Sequence, residues 1–178
     1  MDSNVLIAGF GGHGILFMGQ LFASACMHQG LNVTWSPAYG AEMRGGTVNC
    51  TVCLSDDEVA CAFVDEPQNV IALNASSFEK FEKKIKAGGT IIVNSSLVKS
   101  LPSRDDITYK FAPMTEIARS VGNEKMANIV SLGVFIKILP FVEKESIINE
   151  MKTILTGKKA PLLDGNIKAL NEGYNAIN

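Results

Sequence analysis

Positive charge is neither abundant nor clustered in this sequence: 16 lysines and arginines stand against 18 acidic residues, for a formal charge of −2. No basic run supplies the electrostatic footprint of a nucleic-acid binder, so a polyanionic partner is not expected. Long apolar runs are lacking as well. The longest, Ile129 to Leu139, is interrupted by Ser131, Gly133 and Lys137 and is too short to span a bilayer, so it reads as a buried helix and no membrane association is expected. The first residues, Met-Asp-Ser-Asn, lack the basic region, apolar stretch and cleavage site of a secretory signal, and the expected location is cytoplasmic.

Cysteine is sparse but grouped. Cys50 and Cys53 form a C-x-x-C pair, Cys61 follows, and Cys26 stands apart. The pair lies in Thr47-Val-Asn-Cys-Thr-Val-Cys-Leu-Ser55, a β-branched segment that reads as a strand, and residues three apart on a strand point to opposite faces. Chelation would need a turn between them, and no glycine or proline supplies one. The two histidines, His13 and His28, are too far away in sequence to complete a ligand set. Reduced structural cysteines and no metal site are therefore expected.

What the chain does have is apolar material, 47% of its residues, enough for one well-buried core and short for two. A single domain over residues 1–178 is expected. Strands are predicted at 4–9, 31–35, 47–55, 69–73, 90–93 and 107–111, with helices at 14–29, 77–86, 115–120, 124–139, 143–155 and 165–176. Ser36-Pro37 is expected to end the second strand, Ser76 and Glu79 to cap the 77–86 helix, and residues 58–64 to return as a hairpin from 47–55, making the sheet mixed. The opening β-α-β unit predicts a right-handed parallel crossover. The fold class is α/β: a three-layer α/β/α Rossmann-like domain with a mixed, mostly parallel sheet and a helical C-terminal third. Ile129, Leu132, Phe135, Ile136 and Leu139 fall at helical spacing and read as core, with room for part of that face to meet another subunit.

Gly9-Phe-Gly-Gly-His-Gly14 follows the first apolar run. Gly9, Gly11 and Gly14 have the spacing of a dinucleotide fingerprint: a tight turn, close approach of a pyrophosphate, and close helix packing. That fingerprint also requires an acidic residue at the end of the second strand to hold the ribose. Val33-Thr-Trp-Ser-Pro37 contains none, so NAD or NADP binding is disfavoured, and a packing turn without a ligand stays open. Gly12 and His13 add more glycine than the fingerprint needs and suggest close approach of another surface. The second loop, Tyr39-Gly-Ala-Glu-Met-Arg-Gly-Gly46, should emerge at the same carboxyl edge of the sheet. There Arg44 suits a carboxylate or phosphate, Glu42 pairs with it or positions it, and Gly45 and Gly46 admit a backbone. A solvated connection is the bland reading of the same loop.

GFGGHG, SPAYGAEMRGG, TVNCTVCLSDDEVACAFV, Glu66-Pro67 before NVIALN, and Asn128 preceding SLG occur in this order along residues 4–135. In them the chain resembles the gamma subunit, or gamma domain, of 2-oxoacid:ferredoxin oxidoreductases. His13 departs from the glutamine common at that position. The resemblance implies a subunit, inactive alone, of an enzyme that oxidatively decarboxylates a 2-oxoacid, 2-oxoglutarate favoured, to an acyl-coenzyme A and passes electrons to ferredoxin. It implies no cofactor on this chain by itself. Thiamine diphosphate, Mg²⁺ and iron–sulfur clusters would reside in partner alpha, beta and delta subunits, with coenzyme A as substrate. The candidate patch for coenzyme A or a subunit interface is Gly9, Gly11, Gly12, His13, Gly14, Tyr39, Gly40, Glu42, Arg44, Gly45, Gly46 and Asn128, without a catalytic group. An indolepyruvate oxidoreductase subunit and a free-standing nucleotide-binding regulatory module remain as alternatives.

Overall fold

The computed structural model describes residues 2–38, 47–57 and 64–177. Among these residues six strands form one sheet in the order β2-β3-β1-β4-β5-β6: β1 (Asp2–Phe10), β2 (Asn32–Ala38), β3 (Thr47–Ser55), β4 (Asn69–Ala72), β5 (Thr90–Asn94) and β6 (Thr108–Ala112). The helices are α1 (Ile15–His28), α2 (Ala75–Glu82), α3 (Met114–Val121), α4 (Ala127–Ile138), α5 (Lys144–Ile154) and α6 (Leu163–Asn175). The α/β class, the mixed sheet and the helical C-terminal third are as the sequence predicts.

Alternation along the strands divides the core between the two faces of the sheet. Val5 and Ile7 face α1 and the C-terminal helices together with Val52 and Ile92. Leu6 and Ala8 face α2 with Val70, Ile91 and Val93. Strands covered on both sides read as continuous apolar runs, and all four residues of β4 are buried. The layers are unequal, because α1 and α3 to α6 share one face and α2 packs on the other. α4 lies innermost and is buried continuously from Asn128 to Ile136. Ile129, Leu132, Phe135 and Ile136 are therefore core, and Leu139 packs against them partly buried.

Two local expectations are corrected, and a third is untested. β2 runs through Ser36-Pro37 to Ala38, because among the described residues it is the edge strand of the sheet, where a proline need not cost a sheet hydrogen bond. β3 inserts between β1 and β2, antiparallel to both, so the sheet is mixed through β3 itself; the expected return at 58–64 lies, apart from Val64, outside the described residues. The cap of α2 is Asn74, whose Oδ1 accepts from the Ser77 N–H at 2.8 Å, and not Ser76, which donates its hydroxyl to the same oxygen.

Candidate functional site

The ladder brings the carboxyl end of β1 and the amino end of β3 together, with Phe10 opposite Thr47. Ala38, the last residue of β2, lies opposite Asn49 on β3. The chain thus leaves for residues 39–46 and returns from them at the edge that carries the glycine turn. Tyr39, Gly40, Glu42, Arg44, Gly45 and Gly46 themselves lie outside the described residues.

Within the turn, the glycines divide the work differently from a dinucleotide fingerprint. Gly9 supplies close packing: a Cβ there would sit 2.6 Å from Ile15 Cδ1 and 3.2 Å from Leu73 Cβ. The left-handed backbone falls at Gly12 (φ 88°) and Gly14 (φ 71°), a region that favours glycine. His13 donates its backbone N–H to the Phe10 carbonyl at 3.3 Å, and the two rings meet edge to face at 5.8 Å. Gly14 caps α1 without a side-chain hydrogen bond. Its carbonyl accepts from the Met18 N–H at 3.0 Å and from Asn128 Nδ2 at 3.0 Å. The structure thus brings Asn128, in the first turn of α4, onto the glycine turn.

A cavity of about 330 Å³ opens beside this turn, walled by Phe10, Ile15, Leu16, Phe17, Val48 and the backbone of Gly11, Gly12 and Gly14. Among the described residues no charged side chain lines it. Such a wall suits an apolar side chain or the uncharged arm of a ligand, whereas a phosphate would need its cation from elsewhere. A second, more polar cavity of about 370 Å³ is lined by His13, Leu97, Thr115, Asn123, Glu124 and Lys125. The Arg119 guanidinium, at 2.9 Å, holds the Glu124 carboxyl below its ordinary range; partial burial opposes this, and His13 adds a smaller share.

Polar residues at the same edge escaped the sequence reading. Asn94, buried at the end of β5, donates Nδ2 to the Leu73 carbonyl at 3.2 Å and to Thr115 Oγ1 at 2.8 Å, and its Oδ1 accepts from the Thr115 N–H. The signal was present: β4 and β5 are each followed or ended by an asparagine, in NVIALNASS and TIIVNSS.

Cys50 and Cys53, both on β3, do not converge. Cys50 lies on the α1 face of β3, its Sγ 3.8 Å from the Ile15 carbonyl, and Cys53 falls on the opposite face. Burial pushes the Cys26 and Cys50 thiols up to about 12. Among the described residues no group of three His, Cys, Asp or Glu could hold a metal ion. Cys61 lies outside them. Among the described residues no helix is long and apolar enough to cross a membrane.

Comparison with known proteins adds a consistent set. Residues 4–176 match the family described as pyruvate ferredoxin/flavodoxin oxidoreductase. The chain is 37% identical to the ketoisovalerate oxidoreductase subunit VorA of Methanothermobacter thermautotrophicus over 97% of its own length, but spans only 36% of that relative. It is 30% identical to the 2-oxoglutarate synthase subunit KorC of Methanocaldococcus jannaschii, over 98% of this chain and 93% of that one. The structure superposes on the gamma subunit of a keto/oxoacid ferredoxin oxidoreductase from Geobacter sulfurreducens with a TM-score of 0.84 and 27% identity, covering 98% of this chain and 97% of that one.

Proposed function

We propose, from the premise that this chain belongs to the pyruvate ferredoxin/flavodoxin oxidoreductase family, that it is the gamma-type subunit of a multi-subunit 2-oxoacid:ferredoxin oxidoreductase. In this reading the complex oxidises and decarboxylates a 2-oxoacid, transfers the acyl group to coenzyme A and passes electrons to ferredoxin or a similar acceptor. Thiamine diphosphate with Mg²⁺ and iron–sulfur clusters, held by the alpha, beta and delta partners, supply the carbon–carbon cleavage and electron transfer. The present chain contributes a docking edge and a share of the coenzyme A site.

The observation that carries the reading is the turn cavity, walled by Phe10, Phe17, Val48 and glycine backbone with no charged group among its described lining. It offers close approach and apolar contact, the requirements of an interface core, and neither a nucleophile nor a general base. Arg44, in the neighbouring loop, is the residue assigned to a phosphate of coenzyme A or a partner carboxylate. In this proposal Gly40, Gly45 and Gly46 admit a backbone, and Glu42 pairs with Arg44 or positions it. The substrate favoured is 2-oxoglutarate, because the 2-oxoglutarate synthase relative matches over nearly its full length. A branched-chain 2-oxoacid is the second reading, supported by the higher identity to the ketoisovalerate relative.

The test is affinity purification of the tagged chain from its native host, then a panel of 2-oxoacids assayed with coenzyme A and a viologen acceptor. Co-purification with thiamine- and cluster-bearing chains and turnover of 2-oxoglutarate are expected; a solitary chain carrying a nucleotide would overturn the reading. In the reconstituted complex, Arg44→Ala should weaken assembly or raise the KM for coenzyme A. Unchanged assembly and kinetics would remove Arg44 from the site.

A further inference from the structure

We infer that Asn128 is a positioning residue, which sets the shape of the glycine turn through the Gly14 carbonyl; its consequence for coenzyme A and subunit docking rests on the subunit reading above. Three observations carry it. Gly14 is the hinge between turn and helix, left-handed at φ 71° and ψ 25° and without a side-chain cap. A rotation there would swing residues 11–13 relative to α1. Its carbonyl is held from two directions, by Met18 N–H along the helix axis and by Asn128 Nδ2 from α4. Only the second bond comes from outside the local chain, across a separation of 114 residues.

The amide is also in steric contact with the hinge. A Cβ on Gly14 would fall 2.4 Å from Asn128 Nδ2, so the side chain packs directly over the glycine and closes the space that any other residue would need. Asn128 itself is 6% exposed and sits on a helix buried continuously from Asn128 to Ile136. Further along α4, a Cβ on Gly133 would meet the Leu170 carbonyl oxygen at 2.2 Å, and one on Gly173 of α6 the Val130 carbonyl oxygen at 2.1 Å. The two backbones are thus in close contact, and α4 is tightly packed against α6. A buried asparagine satisfied within its own helix would be packing alone; this one spends its donor on the N-cap carbonyl of another helix. The donor is the essential feature. An aspartate of the same shape would set an acceptor against an acceptor.

The test compares wild type, Asn128→Asp, Asn128→Ser, the single variants Gly14→Ala and Asn128→Ala, and the double variant Gly14→Ala/Asn128→Ala. In the unassembled full chain, amide hydrogen exchange over residues 11–18 should accelerate about tenfold in Asn128→Asp, the size expected for one lost hydrogen bond, with β5 unchanged. In the complex, the KM for coenzyme A should rise about tenfold while kcat and the 2-oxoacid KM stay within about twofold. Asn128→Ser, which retains a donor, should recover part of the loss. The double variant should lose less than the sum of its single variants, as residues acting through one contact do. Exchange at 11–18 unchanged in Asn128→Asp, or a uniform loss across all kinetic parameters, would overturn the inference. If instead exchange accelerates while Arg44→Ala and Phe10→Glu leave assembly and coenzyme A kinetics untouched, the docking reading fails and the positioning role stands.

Discussion

Gly12 and Gly14 share a left-handed backbone but not the same surroundings, and that separates their costs. A Cβ at Gly12 meets nothing within 4 Å, whereas at Gly14 it meets Asn128. Gly12→Ala should cost about 1 to 2 kcal/mol for the conformation alone, and Gly14→Ala distinctly more, because the Asn128 amide must also be displaced. Urea unfolding of the two variants checks this, and equal costs would contradict it. The spacing of these glycines is legible in the sequence. Which of them turns and which packs is not, because the answer depends on Ile15, Leu73 and Asn128, the last two brought in by the tertiary fold. The cysteines were legible from strand parity: residues 50 and 53 had to face opposite ways. With their thiols pushed up to about 12 by burial, Cys26 and Cys50 should resist a thiol reagent at pH 8 in the native chain and react on unfolding. Peptide mapping of the labelled protein decides it, and prompt native labelling of either residue would contradict the burial argument.

Helices and strands with a strong period were readable to within a few residues, since periodicity comes from the one-dimensional pattern. What escaped depended on neighbours in two cases, the insertion of β3 between β1 and β2 and the survival of Pro37 inside an edge strand; the cap of α2 is local, Asn74 to Ser77. The packing of α4 on α6 is a further case, because backbone contact at Gly133 and Gly173 cannot be inferred from an apolar stripe. Gly133→Ala must push the helices apart and should destabilise by at least about 2 kcal/mol, measured by thermal or urea unfolding. At the far end of α2, Glu82 ties the helix to the 103–109 segment: Tyr109 donates its hydroxyl to Oε1, and Ser103 donates its N–H and hydroxyl at 2.8 Å each. Burial pushes the Glu82 carboxyl up, but these bonds and Arg104 outweigh it and leave the group below its ordinary value of 4.5. A depressed native pKa means stability present above the unfolded value and lost as pH falls through the native one. The melting temperature advantage of wild type over Glu82→Gln should therefore be full at pH 7 and shrink progressively below pH 4.5. A difference independent of pH would show that packing, not the carboxylate, accounts for it.

At the scale of the molecule, the helices are distributed unequally over the sheet and the glycine turn stands at one edge, beside a cavity with apolar walls. The near-neutral charge and the lack of an acid at the end of the second strand, in residues 33–37, already argued against a polyanion and a dinucleotide. The motif order pointed to the family, and the apolar wall beside residues 11–14 is the ground of the proposed docking role. Phe10, 38% exposed at the mouth of the cavity, is the side chain on which that role can be tested without disturbing the core. The most direct measurement is therefore stoichiometric co-purification of Phe10→Glu with the larger chains of the complex, alongside its melting temperature in isolation. The account predicts that the isolated variant melts within a few degrees of wild type yet no longer assembles, because a carboxylate is buried against apolar partner surface. Assembly at wild-type stoichiometry and unchanged KM for coenzyme A would contradict a partner-facing turn.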